Sequence, residues 1–198
     1  GLSTYTEGRF FKAVTERRGE SAYILSHEAK STGNLFGMVQ RFYDHCPSFL
    51  RPIKSKDSAK LGMSFKILDS SYQLGPAGNA EGGRGFTARL FHGSEVAFWP
   101  HGEEILAGVM QAVPESKGTE IILESTANGV GGSFYQYVMD AYNGTSEDDF
   151  ELVFIPWYWQ PEYVVTAVPE DFTRTEDERK IARLLRNHPD GGEFNWHI

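Results

Sequence analysis

The chain has 198 residues, 40% hydrophobic and 23% charged, with 21 glycines and 9 prolines. Those proportions belong to a globular domain and exclude a disordered tail, and the length suits one α/β domain with a short appendage. Acidic side chains number 27 against 19 basic ones, and the formal charge of −8 excludes a surface that clamps nucleic acid all over, leaving only a local patch for such contact. A single cysteine, Cys46, with no CxxC or Cys/His quartet, excludes an internal disulfide and a structural zinc and points to a reducing compartment. No stretch approaches the roughly 18 apolar residues of a membrane span, and the first residues lack the regions of a signal peptide, so a soluble, cytosolic chain is expected.

In chain order, residues 3–18 place Phe10, Phe11, Ala13 and Val14 on a helical stripe, with Ser3 and Thr4 as expected caps and Gly19 as the stop. SAYILSH (21–27) reads as a strand buried on both faces, and residues 28–45 return to a helical pattern through Leu35, Met38, Val39 and Phe42. Two short alternating runs within 61–78, around Asp69, Ser70 and Ser71, read as a hairpin at a sheet edge. TARLFH (87–92), TEIILEST (119–126) and FELVFIPW (150–157) are three further candidate strands, separated by helical stretches at about 101–112 and 131–143. The alternation predicts a three-layer, mostly parallel α/β sheet with ligands beyond the carboxyl ends of its strands. Past Pro161 the chain turns polar, with one late helix from about Glu176 to Asn187.

The chemistry-bearing groups follow the strands. GPAGNAEGGRG (75–85) carries five glycines in eleven residues, but no helix bearing Lys-Ser/Thr follows, so it is a weak phosphate loop and equally a flexible connection; Arg84 offers a guanidinium to a phosphate. TARLFH runs into Gly93-Ser94-Glu95-Val96, placing a carboxylate at the ligand edge. Taken alone, Glu95 fits either a base that orients water or an acid satisfying a helix N-terminus. Glu124-Ser125-Thr126-Ala127-Asn128-Gly129 crowds hydroxyl and amide groups into a strand-to-helix corner, which reads either as an N-cap cluster with a turn glycine or as a sensor of phosphate state beside Glu95.

SAYILSHEAKSTGNLFGMVQRFYDHCP, GRGFTARLFHGSEVAFWP, EIILESTANGVGGSFYQ and FIPWYWQPEY together resemble the ATPase domain of the large terminase subunit of tailed bacteriophages and prophages, over roughly residues 1–165. The resemblance implies a RecA-like P-loop NTPase of the ASCE type, spanning 1–160, with 161–198 a linker or the start of a following subdomain. It implies ATP and Mg²⁺ as cofactors and hydrolysis coupled to translocation of double-stranded DNA into a procapsid. The implied partners are DNA, a portal protein, a small terminase subunit and further copies in a ring; the implied setting is the cytoplasm of a bacterial host, away from membranes.

By the same resemblance Glu95 matches the catalytic glutamate of Walker B, and Ser125, Thr126, Asn128 and Gly129 the coupling motif. Arg84 lies where some relatives carry an arginine that stabilises the transition state across a subunit boundary. Gly1, Leu2, Ser3 and Thr4 match the end of the Walker A loop, Ser3 in the position of the magnesium-contacting hydroxyl. Two positions depart from the pattern: Leu2 stands where the usual loop has lysine, and Ser94 where Walker B has the aspartate that holds magnesium through water. With the front of the phosphate loop and its strand expected upstream of Gly1, and no aspartate cluster of a nuclease after Tyr163, the expectation is a fragment or truncated prophage product with half a nucleotide site. A non-catalytic scaffold and a helicase-like ATPase are the alternatives, the WYWQPEY segment favouring terminase over helicase.

Other features are assigned bland roles. His92, His101, Glu103 and Glu104 match no zinc spacing and are expected to be solvated loop residues, with no transition metal. Trp157, Tyr158 and Trp159 are expected to pack, Glu147-Asp148-Asp149 to be a solvated loop, Lys54, Lys56, Lys60 and Lys66 to be scattered surface lysines, and Cys46 to be buried.

Overall fold

In the computed structural model, residues 1–56, 60, 62–77, 87–146, 150–156 and 173–186 are described. They fall into two units, Gly1–Glu151 and Leu152–Ile198. The first opens with α1 (Leu2–Glu16), whose Thr6, Glu7, Phe10, Phe11 and Val14 form one buried stripe at the three- and four-residue spacing of a helix face. Ser3 and Thr4 were expected as caps; both lie inside the first turn, Gly1 is the N-cap, and no side chain caps the helix. Gly19 takes a φ of +69°, a left-handed turn that glycine adopts without steric cost, and its N–H donates to the Leu68 carbonyl at 2.9 Å.

Strand β1 (Ser21–Ser26), helix α2 (Ala29–His45) and the antiparallel hairpin β2 (Gly62–Phe65) and β3 (Ser70–Pro76) follow. The hairpin turns at 66–69 and sits at the sheet edge, as its alternation predicts. Next come β4 (Leu90–Ser94), a short 3-10 turn (Val96–Phe98), α3 (Gly102–Ala112), β5 (Glu120–Glu124) and α4 (Gly132–Asn143). The sheet order is β2-β3-β1-β4-β5, with β1 parallel to β3 and β4, and β4 parallel to β5. Among the described residues of 150–156 there is no strand, contrary to the expectation for FELVFIPW; Val153, Phe154 and Ile155 are exposed. Apolar content alone does not make a strand, which needs a neighbour for its backbone groups.

The two-residue period of the strands sorts the sheet into its layers. Ala22 and Ile24 of β1 and Leu90 of β4 meet Phe10, Val14, Leu35 and Val39 of α1 and α2 on one face. Leu25 of β1 and Phe91 of β4 meet Ile105, Leu106 and Val109 of α3 on the other, with Leu123 of β5 and Phe134 and Tyr137 of α4 packed against them. Helix, sheet and helix make the three layers of the expected fold. Trp157–Trp159 and Glu147-Asp148-Asp149 lie outside the described residues, and Cys46 at the end of α2 is half-buried. In the second unit, α5 (Glu176–Arg186) begins with a reciprocal cap: Thr175 N–H donates to Glu178 Oε2 at 2.6 Å, and Glu178 N–H donates to Thr175 Oγ1 at 3.3 Å.

The same period places His92 on the α1 face of β4, where it is fully buried and not the solvated loop residue expected from sequence. Its Nδ1 lies 2.7 Å from Glu7 Oε1 of α1 and its Nε2 lies 3.0 Å from Glu124 Oε1 of β5. Tyr72 of β3 donates its hydroxyl to the second oxygen of Glu7. Burial pulls the imidazole down, but hydrogen bonds to Glu124 and Glu7 and the charge of both carboxylates outweigh it and push the pKa from 6.5 to about 9. Burial, with Glu7 alongside, raises the Tyr72 phenol well above its ordinary value.

A histidine pKa raised on folding means that the native state binds the proton more tightly, so the stabilisation is complete below the unfolded value and lost as pH rises through the folded one. Chemical denaturation should therefore show stability falling by on the order of 3 kcal/mol between about pH 6.5 and about pH 9. In His92→Gln the loss over that window should disappear, and an unchanged slope in the variant would remove His92 as its source. Glu124, held below the ordinary carboxylate range, acts in the opposite sense: its contribution is present above that range and is lost on acidification.

Candidate active site at the carboxyl edge of the sheet

The parallel strands β1, β4 and β5 end together, and their last residues are in register. Ser26 pairs with Ser94, and Ser94 pairs with Glu124. All three belong to the α1 face by the two-residue period, and α1 runs antiparallel to β5: Arg9 is paired with Glu120 at 2.8 Å near the start of the strand, while Ser3 reaches Glu124 at its end. The first turn of α1 therefore lies over the strand ends, where the end of a phosphate loop is expected. Gly1, Leu2 and Thr4 are exposed there, and Ser3 is half-buried. The side chain of Thr4 turns away, donating to Met38 Sδ at 3.7 Å.

Just past β4, Glu95 adopts a left-handed conformation, φ 56° and ψ 44°, which costs an L-residue with a Cβ about 1–2 kcal/mol. It is the N-cap residue of the 3-10 turn, but its side chain makes no cap hydrogen bond. The capping account of this acid is therefore set aside. Its Oε2 instead accepts from Ser125 Oγ and Thr126 Oγ1, each at 3.4 Å. Ser125 Oγ also accepts from the Ala97 N–H at 3.2 Å, while Asn128 Nδ2 donates to the Ala97 carbonyl at 3.0 Å. The loop after β5 thus grips both the glutamate and the backbone that follows it. Nor are these hydroxyls helix caps, since α4 begins at Gly132 with Gly131 before it and no side-chain cap. Gly129 supplies the turn, with φ of +79°.

Gly93, one residue before the strand end, is where a side chain is excluded. A Cβ there would lie 2.9 Å from Val96 Cγ2 and 3.0 Å from both Leu123 Cδ2 and the Trp99 ring. Trp99 packs so close because its indole N–H donates to the Ser94 carbonyl at 3.0 Å. The chain consequently doubles back tightly enough to present Glu95 at the edge. A polar cleft of about 350 Å³ borders the same loop, lined among others by Ala97, His101, Gly102, Glu103, Gly132 and Ser133. Ser3, Ser94, Glu95 and Glu124 do not line it, and it is a neighbour of the site.

Sequence reasoning assigned no role to Glu124 itself. Its side chain is 12% exposed. Burial pushes its carboxyl up, but His92, Ser3 and Ser94 outweigh burial and hold it below the ordinary carboxylate range. Ser26, 0% exposed, carries a hydroxyl with no hydrogen-bond partner among the described residues. The signal that could have found both was the strand period combined with parallel register, which puts these residues on one row. Arg84 lies outside the described residues, as does 78–85 of the glycine-rich loop.

The donors fit magnesium in kind: the hydroxyls of Ser3 and Ser94 and the carboxylate of Glu124 are hard oxygen ligands. No group of three or more His, Cys, Asp or Glu suited to a metal occurs among the described residues. Among those residues no helix is long and apolar enough to cross a membrane.

No family model matches the sequence, and no curated protein matches it. The fold does match a solved structure, the large terminase from a thermophilic bacteriophage, with a TM-score of 0.54 at 11% sequence identity. The match covers 71% of this chain and 34% of that one, so the chain spans about a third of the length of the protein it resembles. The architecture is a terminase-like α/β fold, consistent with the RecA-like class.

Proposed function

We propose that this chain is the ATPase module of a phage-type DNA-packaging motor, hydrolysing ATP with Mg²⁺ at the carboxyl edge of its sheet. The observation that carries the reading is Glu95, presented in a strained turn at the end of a buried strand and touched by Ser125 and Thr126 of the loop after β5, on a fold like that of a phage large terminase. In this reading Glu95 orients the water that attacks the γ-phosphate and accepts its proton. Ser3 at the start of α1 would face the phosphates, and magnesium, when bound, would supply charge neutralisation. Double-stranded DNA, a portal protein, a small terminase subunit and sister copies in a ring are the partners this function requires. The bacterial host cytoplasm is its setting.

The grip of the 125–128 loop on Glu95 and Ala97 suggests how chemistry passes into movement. Contacts at 3.4 Å are long for O–H···O bonds, so the hydroxyls are free to exchange Glu95 for a phosphate oxygen or a water. Each exchange shifts the Ala97 backbone through Ser125 and Asn128, and a change of this kind is the usual trigger of a nucleotide switch. Leu2, 38% exposed at the start of α1, brings no cation to the phosphates; this favours the second reading, a non-catalytic scaffold on the same fold.

Glu95→Gln in the full-length protein should lower ATP turnover at least tenfold while leaving ATP binding within about threefold, because size is kept and only the proton acceptor is lost. Turnover above a tenth of wild type would remove Glu95 from that role, and a wild-type protein that neither binds nor hydrolyses ATP would be the scaffold. Asn128→Ala, which frees the Ala97 carbonyl and leaves Glu95 untouched, should keep most ATP turnover and lose DNA packaging. Parallel loss of both would place Asn128 in the chemistry or in folding.

A further inference from the structure

We propose that Glu124, at the end of β5, supplies the carboxylate that orders the nucleotide's divalent cation, the task that Ser94 on β4 cannot perform. The inference rests on the nucleotide-binding reading above and adds to it the residue that holds the ion. P-loop enzymes hold Mg²⁺ with a loop hydroxyl and a strand-end aspartate, and the strand-end position preceding Glu95 is here a serine. Its partner in the β-ladder is a glutamate. Neighbouring strands lie about 4.8 Å apart, and the parallel register puts Ser94 and Glu124 side by side on one face, so the carboxylate is moved one strand sideways and stays at the same edge.

Three observations support the exchange. Ser94 and Glu124 are paired and on the face that α1 covers, next to Ser3. Oε1 of Glu124 is engaged by His92, at 3.0 Å, the hydroxyls of Ser3 and Ser94 also hydrogen-bond the carboxylate, and His92 is itself fixed from behind by Glu7 at 2.7 Å; a ligand carboxylate backed by a second hydrogen-bonded layer is how proteins orient such groups. Finally, Ser26 continues the row on β1 with a fully buried hydroxyl that has no partner among the described residues. A buried polar group without a partner is costly, and it is satisfied if an ion's ordered water occupies the edge. His92 and Glu7 are positioning residues in this arrangement.

The test uses the full-length protein, Mn²⁺ as probe and electron paramagnetic resonance to follow free Mn²⁺ with and without saturating ATP. The wild type should bind Mn²⁺ in an ATP-dependent manner. Glu124→Gln and Glu124→Ser should each weaken that binding at least tenfold, the range found when the surroundings of a metal ligand are disturbed. The reciprocal exchange Ser94→Asp with Glu124→Ser should restore it to within about threefold, although the His92–Glu124 bond stays broken and thermal stability stays reduced. Recovery of metal binding without recovery of stability separates an ion-ordering carboxylate from one that only pairs with His92. Undiminished Mn²⁺ binding in Glu124→Gln, or failure of the exchange to restore it in a folded double variant, would overturn the assignment and leave the nucleotide site standing. Absence of ATP-dependent Mn²⁺ binding in the wild type would overturn both.

Discussion

The row formed at the carboxyl edge by Ser3, Ser94 and Glu124 depends on where the first turn of α1 sits, and that is fixed by one buried histidine. His92 lies between Glu7 of the helix and Glu124 of β5, with Tyr72 of β3 closing the far side of Glu7. The arrangement ties one helix to three strands inside an otherwise apolar layer formed by Phe10, Val14, Ile24 and Leu90. Replacing a buried ion pair by well-packed apolar residues is often neutral or stabilising, so such a cluster is a weak source of net stability. Its effect here is register. Apolar side chains of similar size tolerate sliding, whereas a carboxylate displaced by one helical turn would leave a charge buried and unpaired, at a penalty of several kcal/mol. A second tie, Arg9 with Glu120 at 2.8 Å, is half-exposed and correspondingly weaker.

Most of the layering was legible in the sequence because it rests on periodicity. The stripe of α1, the doubly buried run of β1, the hairpin at the edge and the alternation of β4 and β5 with α3 and α4 follow from spacing alone. Two features were not legible. The apolar run 150–156 looked like a further strand, but a strand is defined by its partner and a sequence does not show which edge is available. His92 looked like a loop residue because an apolar strand has no internal reason to contain a histidine. Its reason lies 85 residues away in Glu7, and a pairing at such separation leaves no local trace.

The site divides in the same way. Glu95 and the Ser125–Asn128 run stand out as polar clusters after strands, and the fold brings them within 3.4 Å of one another. Glu124 hides in plain view, since an acid at the end of a strand reads as solvated until the register with Ser94 and the proximity of α1 are known. Parity alone places Ser26, Ser94 and Glu124 on one face, but only the strand order β1-β4-β5 makes them neighbours. Strand order is a topological fact that no local window contains.

The geometry also explains why the edge is rigid on one side and yielding on the other. Behind Glu95 the packing leaves no room: Gly93 excludes a side chain, and Trp99 is pinned to the Ser94 carbonyl. Ahead of it the polar contacts are long, and Thr126, Asn128 and Gly129 are exposed. Close-packed interiors resist displacement, while exposed hydrogen-bonded loops open at little cost in free energy. A displacement of Glu95 would therefore be taken up in the loop after β5 and not in the sheet. The strained backbone of Glu95 adds to this asymmetry, because a conformation that costs about 1–2 kcal/mol persists only while the packing behind it holds.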